Sequence, residues 1–151
     1  MVRPFIVACF ALLVTMQPML AQTVAEQPAK KAPGILAPMQ PKQFPVNVNW
    51  KVVTMGGKAA SGDVPTMQLD KQFRMRGFGG CNTYSATAYP MARQGFAVGP
   101  VAVTRKACDK ALMEREKNFL LGIRTSAQWE EKDGFLILRG QMGEIKFQRA
   151  L

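Results

Sequence analysis

Residues 109–148 read DKALMEREKNFLLGIRTSAQWEEKDGFLILRGQMGEIKFQ, and the hydrophobic period of this stretch changes halfway along it. The first half predicts a helix capped by Asp109, with an apolar face formed by Leu112, Phe119, Leu120 and Ile123. The second half predicts three strands, at 127–131, 135–139 and 145–148. An Asp-Gly pair between the first two strands is typical of a tight hairpin. The stretch therefore predicts one helix followed by an antiparallel meander.

Another group of strands precedes the helix. Residues 46–55 (VNVNWKVVTM) predict a first strand, and a glycine-rich loop follows at 56–63. A hairpin with its turn at 70–72 comes next, and its second strand alternates inward positions Phe73, Met75 and Gly77 with outward positions Arg74 and Arg76. Strands on both sides of one helix predict an α+β fold, a small antiparallel β-sheet curled like a cracked barrel around one α-helix.

The N-terminal third has the composition of a leader and a tether. Arg3 is followed by twelve apolar or weakly polar residues at 5–16, which suits a signal peptide and is too short to span a membrane. We expect residues 1–21 to be a signal peptide cleaved after Ala21. Residues 22–45 are rich in Pro, Ala and Lys and predict a disordered spacer. Residues 46–151 remain for one folded domain, exported to the periplasm and without a transmembrane span in its mature form.

The chain is strongly basic and contains no histidine. Its formal charge is +10, from 20 Lys and Arg against 10 Asp and Glu, and no basic block exceeds two residues. Such dispersed charge is typical of a solvated basic surface, and it also suits an anionic envelope surface such as lipopolysaccharide or lipid. It does not indicate nucleic-acid binding. The absence of histidine excludes a histidine-based pH switch.

Two short polar elements stand out in the domain. Residues 77–84 (GFGGCNTY) combine three glycines with Cys81 and Asn82, which indicates either a structural turn or a loop that contacts a ligand. Just before the predicted helix, Thr104, Arg105, Lys106 and Cys108 form a basic element. The start of the helix that follows could hold an anion beside Arg105. Alternatively, Arg105 could brace a loop by donating hydrogen bonds to backbone carbonyls.

The cysteines predict a disulfide. Once Cys9 leaves with the signal peptide, Cys81 and Cys108 are the only two that remain, and an exported protein matures where disulfides persist. The bond would tie the predicted helix to the sheet. The alternative is a pair of free, buried thiols.

Catalytic constellations are largely missing from the sequence. Without histidine there is no Ser-His-Asp or Cys-His system, and two cysteines are too few for an all-cysteine zinc site. Glu114 and Glu116 point apart on the helix, and Glu130 and Glu131 point to opposite faces of a strand. Only Ser-Lys or lone-carboxylate chemistry is left. We therefore expect no enzyme, no catalytic residues, no metal and no cofactor.

The order of these elements resembles the META domain of HslJ-type envelope proteins. The resemblance runs over 46–148 and rests on a leading Trp50, the closing Gly134–Leu138 strand, Met113-Glu114 with Glu116, Phe119 and Leu120, and the motif residues Gly80, Cys81, Asn82, Tyr84, Thr104, Arg105 and Cys108. It implies a small sheet or cracked barrel around one helix, in an envelope protein associated with stress or drug tolerance. It implies no catalytic activity, and a structural role for the motif residues rather than a binding one.

Three functional hypotheses follow. The first is a non-enzymatic periplasmic binding or assembly module, monomeric, that engages an envelope protein partner or an anionic envelope surface. The second is a carrier that encloses a small apolar or lipid-like ligand in its cracked barrel, with Arg105 near the mouth. The third is an inhibitor of an envelope hydrolase. Apolar strands fill a closed core as readily as they line a cavity, so the sequence leaves the choice open.

Overall fold

The structure is a computed structural model that describes residues 41–150. The predicted signal peptide, its cleavage site after Ala21 and most of the predicted spacer lie outside the described residues. No helix in the described part is long and apolar enough to cross a membrane.

The described chain contains ten strands and one α-helix. The strands before the helix are β1 Trp50–Met55, β2 Lys58–Ala59, β3 Thr66–Leu69, β4 Arg74–Phe78, β5 Thr83–Pro90, β6 Phe96–Val98 and β7 Ala102–Val103. The helix and the strands after it are α1 Lys110–Arg124, β8 Ser126–Lys132, β9 Phe135–Gly140 and β10 Gly143–Arg149. Asp109 caps α1 as predicted, because its carboxylate accepts a hydrogen bond from the Leu112 amide at 2.9 Å.

All strand pairs are antiparallel and form one sheet. Its order is β6-β5-β4-β3-β1-β10-β9-β8, with β2 paired to β1 and β7 paired to β5. The two outer strands of this order approach each other, because an isolated bridge joins Gly95, next to β6, to Gln128 in β8. The sheet is therefore nearly closed into a barrel, which confirms the predicted α+β class with a curled antiparallel sheet.

The C-terminal meander follows its predicted pattern. Trp129 lies opposite Leu138, which in turn lies opposite Ile145. The hairpin between β8 and β9 turns at Asp133 and Gly134, whose φ angles of 52° and 78° are those that tight hairpins require. The predicted strands are confirmed to within two residues at each end.

Large side chains fill the interior of the domain. The largest that are fully buried are Trp50, Phe119, Phe147, Met67, Leu69, Met75, Ile123, Leu136 and Leu138. Phe119 of α1 meets Tyr84 and Phe147 edge-on, with ring centroids 5.8 and 6.5 Å apart. The apolar face of the helix thus belongs to the same core as the sheet. Burial of each such side chain stabilises the fold by about 1.5–3 kcal/mol.

The start of the domain differs from the prediction. The first strand begins at Trp50, and Asn47 has a left-handed φ of 59° that interrupts the extended run predicted from Val46. Phe44, which the proline pattern assigned to the spacer, is buried, and its ring stacks on Phe96 at 5.5 Å. The packed part of the chain therefore begins two residues before the boundary that the prolines indicate.

The second strand of the first hairpin begins one residue later than predicted. Arg74 and Arg76 are exposed, as their alternation indicates. The inward position expected for Phe73 is wrong, because this residue precedes β4, has a φ of 62° and is 43% exposed. A left-handed residue at the end of a turn breaks the alternation of the strand, so its side chain no longer follows the period of Met75.

Candidate functional site

The two cysteines form the predicted disulfide. Cys81 lies in the loop between β4 and β5, Cys108 lies directly before Asp109, and their Cα atoms are 6.2 Å apart. The bond therefore joins a loop between two inner strands of the sheet to the start of α1.

A buried carboxylate lies beneath this disulfide. Glu116 of α1 is only 7% exposed, and its Oε2 accepts hydrogen bonds from the backbone amides of Cys81 at 3.0 Å and Asn82 at 2.5 Å. Its Oε1 accepts a third bond from the Asn82 side-chain amide at 2.9 Å. Three donors thus compensate the cost of burying this negative charge.

Asn82 carries the network onward to the second motif. Its Oδ1 accepts hydrogen bonds from the Thr104 hydroxyl at 2.9 Å and from the Lys106 amide at 2.7 Å. The Thr104 amide donates to the Thr83 carbonyl at 3.0 Å, and the Thr83 amide donates to the Thr104 hydroxyl at 3.2 Å. We call the residues Cys81, Asn82, Thr104, Cys108 and Glu116 the clasp. The polar side chains of the clasp form hydrogen bonds with one another and with the neighbouring backbone.

Two glycines make room for the clasp. A Cβ atom on Gly79 would lie 2.8 Å from Glu116 Oε2, the oxygen that receives the two backbone amides. Gly80 has a φ of 119°, a conformation that residues with side chains rarely adopt. Glycine is therefore required at position 79 by packing and at position 80 by the backbone conformation.

The remaining predicted site residues lie apart from the clasp's hydrogen bonds. Tyr84 is buried, its hydroxyl donates to the Thr66 carbonyl at 2.9 Å, and burial raises the pKa of that hydroxyl well above its usual value. Arg105 is exposed and takes part in no hydrogen bond within residues 41–150, so it braces no carbonyl there. An anion site beside Arg105 stays a prediction, although the Asp109 carboxylate already occupies one of the free amides at the helix start.

Glu116 is the clasp residue that sequence reasoning missed. The sequence pattern predicts no buried role for Glu116, yet it lies four residues after Leu112 and three before Phe119. That spacing puts it inside the apolar stripe of the helix. A lone carboxylate in such a stripe indicates a buried acceptor that must find donors in another element.

The surface of the domain carries a large excess of positive charge. Without Arg3, Lys30, Lys31 and Glu26, which lie outside residues 41–150, the described part has 17 basic and 9 acidic residues, or 17 − 9 = +8. Five of the nine carboxylates form ion pairs with basic side chains, namely Asp70, Glu114, Glu130, Glu131 and Glu144. Asp109 caps α1 and Glu116 is buried in the clasp. Only Asp63 and Asp133 remain among the described carboxylates to offset the exposed lysines and arginines.

Two of the surface grooves lie next to elements that bear on function. One, of about 310 Å³, lies between the β1–β2 hairpin and α1 and is lined in part by Lys58, Gly80, Leu112 and Arg115. The other, of about 520 Å³, has Phe44 and Trp129 among its lining residues, together with the turn before β4 and the loop after β5. Within residues 41–150, no three His, Cys, Asp or Glu side chains converge as a metal ion requires.

A nearly closed antiparallel barrel with one helix and a disulfide-linked clasp defines the class, a small α+β barrel domain. The sequence profile of the META domain matches residues 43–150, and the chain belongs to this family. The match starts one residue before Phe44, in agreement with the burial of that ring.

Solved structures show the same fold. An NMR structure of a protein from Burkholderia xenovorans is 20% identical, with a TM-score of 0.55, and the match covers 80% of this chain and 97% of that one. A second NMR structure of a protein is 17% identical, with a TM-score of 0.56, over 67% of this chain and 87% of the other. No curated protein matches the sequence significantly.

Proposed function

We propose that this META-domain protein is a non-enzymatic binding module of the bacterial periplasm that docks on an anionic envelope surface, lipid or lipopolysaccharide, and acts in envelope stress or drug tolerance. The observation that carries the proposal is the uncompensated charge of +8 on the described residues. A protein surface with such a charge attracts polyanions and gains association rate from long-range steering. The docking unit is a monomer whose sheet curls around its helix.

The state of the buried polar groups supports a non-enzymatic role. The Glu116 carboxylate is buried and its oxygens accept three hydrogen bonds from the domain itself, which shields it from a substrate. The two cysteines of the domain are joined and offer no thiolate. Cys81, Asn82, Thr104 and Cys108 serve the clasp and Tyr84 is buried in the core, which leaves the outer surface as the place for recognition.

The disulfide supports the exported location. Such bonds persist in the periplasm and are rare in the reducing cytoplasm. The pairing of Cys81 with Cys108 in the domain therefore agrees with a leader that directs the chain out of the cytoplasm.

The packed interior weighs against a carrier that encloses its ligand inside the barrel. Trp50, Phe119 and Phe147 are completely buried and occupy the space that a ligand inside the barrel would need. A carrier would instead have to use the groove of about 310 Å³ beside Gly80 and α1. No feature of the described residues favours the hydrolase inhibitor.

Vesicle binding tests the proposal. Mature protein should sediment with vesicles that contain phosphatidylglycerol, and it should stay in solution with vesicles of phosphatidylcholine alone. Binding should weaken steeply with salt, because the screening length falls from about 30 Å at 0.01 M to about 3 Å at 1 M ionic strength. Binding that is absent, or that does not respond to salt, would contradict the proposed function.

A further inference from the structure

Three exposed apolar side chains gather beside the groove of about 520 Å³. Phe73, Tyr89 and Met91 are 43%, 47% and 51% exposed, and the rings of Phe73 and Tyr89 contact each other with centroids 5.4 Å apart. Phe73 ends the turn before β4, and the other two residues lie at the end of β5 and just after it. We call Phe73, Tyr89 and Met91 the aromatic end of the domain.

The backbone holds Phe73 in this exposed position at a cost. Its φ of 62° is an outlier for a bulky residue, of a kind that clusters at functional sites. Asp70 builds the turn, because its Oδ1 accepts from the amides of Gln72 and Arg74 at 2.9 Å and its Oδ2 accepts from Arg74 Nε at 2.8 Å. The Ala88 amide also donates to the Phe73 carbonyl at 2.9 Å. A rigid turn therefore presents an aromatic ring to solvent.

The groove beside the aromatic end is basic and apolar. Lys42 and Lys71 line it, none of its lining residues is acidic, and Phe44 and Trp129 contribute buried rings to it. Asp70, in the adjacent turn, is paired with Arg74, and Lys42 Nζ donates to the Glu131 carbonyl at 3.2 Å, which leaves Lys71 as the freer of the two lysines. The charge of this region is thus complementary to an anionic partner.

We propose that the aromatic end inserts into the interfacial layer of an anionic lipid bilayer, with Lys71 and Lys42 contacting headgroup phosphates. This inference rests on the proposed function and names the part of the surface that performs it. Aromatic rings favour the membrane interface, and lysines reach from there to phosphate groups. A patch of three side chains is small for a stable protein interface, which buries about 800 Å² on each partner.

A tryptophan at position 73 reports insertion directly. The protein already contains Trp50 and Trp129, so the signal of interest is the fluorescence that Phe73→Trp adds to that of the unaltered, mature, oxidised protein. This added fluorescence should shift to the blue on addition of phosphatidylglycerol vesicles, and brominated acyl chains should quench it. Leu121→Trp is the matched control, because Leu121 is similarly exposed at 40% but lies on α1. Its added tryptophan should show neither effect. Equal responses of the two variants would overturn the proposal.

Loss of affinity gives a second, independent measurement. Asparagine at position 73 tolerates the left-handed backbone. The double variant Phe73→Asn, Tyr89→Ser should therefore keep the turn and weaken vesicle binding about tenfold. Lys71→Gln should weaken it about fivefold, as expected for one basic residue near an anionic membrane. Met113→Ser on α1, where Met113 is 47% exposed, should bind like the unaltered protein. Thermal unfolding of each variant checks that the fold is retained.

The outcomes separate this inference from the proposed function. If the unaltered protein does not bind anionic vesicles, the proposed function fails. If it binds with the expected salt dependence but Phe73→Trp shows no blue shift or quenching, the proposed function stands and the aromatic end is not the docking site. Dimerisation without lipid, abolished by Phe73→Asn, would overturn the membrane assignment in favour of a second copy of the chain.

Discussion

Replacement of Glu116 by glutamine tests whether the clasp holds the domain together. The carboxylate receives three hydrogen bonds, two at Oε2 and one at Oε1. Glutamine keeps a single acceptor oxygen, so it serves either the two backbone amides or the Asn82 side chain. The remaining donors then face an NH2 group. The substitution therefore removes the charge and also places donor against donor.

The magnitude follows from these contacts. Hydrogen bonds to a charged group contribute about 1.5–3 kcal/mol each and neutral ones about 0.5–1.5 kcal/mol, and an unsatisfied buried donor costs about 1–3 kcal/mol. Because loss of the charge also removes the cost of burying it, we expect Glu116→Gln to lower the free energy of unfolding by about 2–4 kcal/mol. For a domain of this size that lowers Tm by at least about 8 °C.

Urea unfolding of the oxidised protein, followed by circular dichroism, measures the effect. Glu114→Gln is the matched control, because Glu114 is two residues away on the same helix, is exposed and only approaches Lys117 at 3.9 Å. A surface pair of this kind contributes little, so the control should stay within about 0.5 kcal/mol of the unaltered protein. If Glu116→Gln behaves like Glu114→Gln, the clasp is not a structural element and the reasoning is refuted.

Three further predictions concern the disulfide, the pH dependence and the leader. Replacing both Cys81 and Cys108 by serine should lower the free energy of unfolding by about 3.6 kcal/mol, the chain-entropy value for the 28-residue loop from 81 to 108; urea unfolding that shows no loss would contradict this. Burial alone raises the pKa of Asp70, but hydrogen bonds from Arg74 and Gln72 hold that pKa below its ordinary value of 3.8. As the pH falls, Asp70 is therefore protonated in the unfolded state before it is protonated in the folded state. The stability contributed by Asp70 is therefore present above pH 3.8 and lost below it, and Asp70→Asn should flatten that acid limb; an unchanged acid limb would count against the turn described here. Mass spectrometry of the exported protein should find Gln22 at the mature N-terminus, whereas an intact Met1 would remove the basis for a cleaved leader.

The predictable parts of the fold are those in which local signals agree. The Asp133-Gly134 turn and the alternation on either side of it specify the same hairpin, and the cap at Asp109 and the apolar stripe of α1 specify the same helix. The disulfide follows from cysteine count and compartment. None of these inferences requires knowledge of what lies across the barrel.

The parts that escaped prediction depend on contacts between distant segments. Phe44 stands among prolines, and its burial depends on contact with distant residues such as the rings of Phe96 and Trp129. Phe73 follows the strand alternation in the sequence, but the hydrogen bonds of Asp70 force it out of the strand. Glu116 carries a local signal, yet its donors lie 34 and 35 residues away along the chain.

The most direct test of the whole account is NMR mapping of the surface that binds lipid. Backbone amide signals of the labelled mature protein would be followed during titration with bicelles that contain phosphatidylglycerol, at low and at high salt. We predict that shifts and broadening at low salt concentrate in residues 70–74 and 89–95, while the amides of Gly80, Cys81, Asn82 and Thr104 stay unperturbed. Perturbations centred on the clasp, with residues 70–74 and 89–95 silent, would contradict the claim that the motif is structural and that binding belongs to the outer surface.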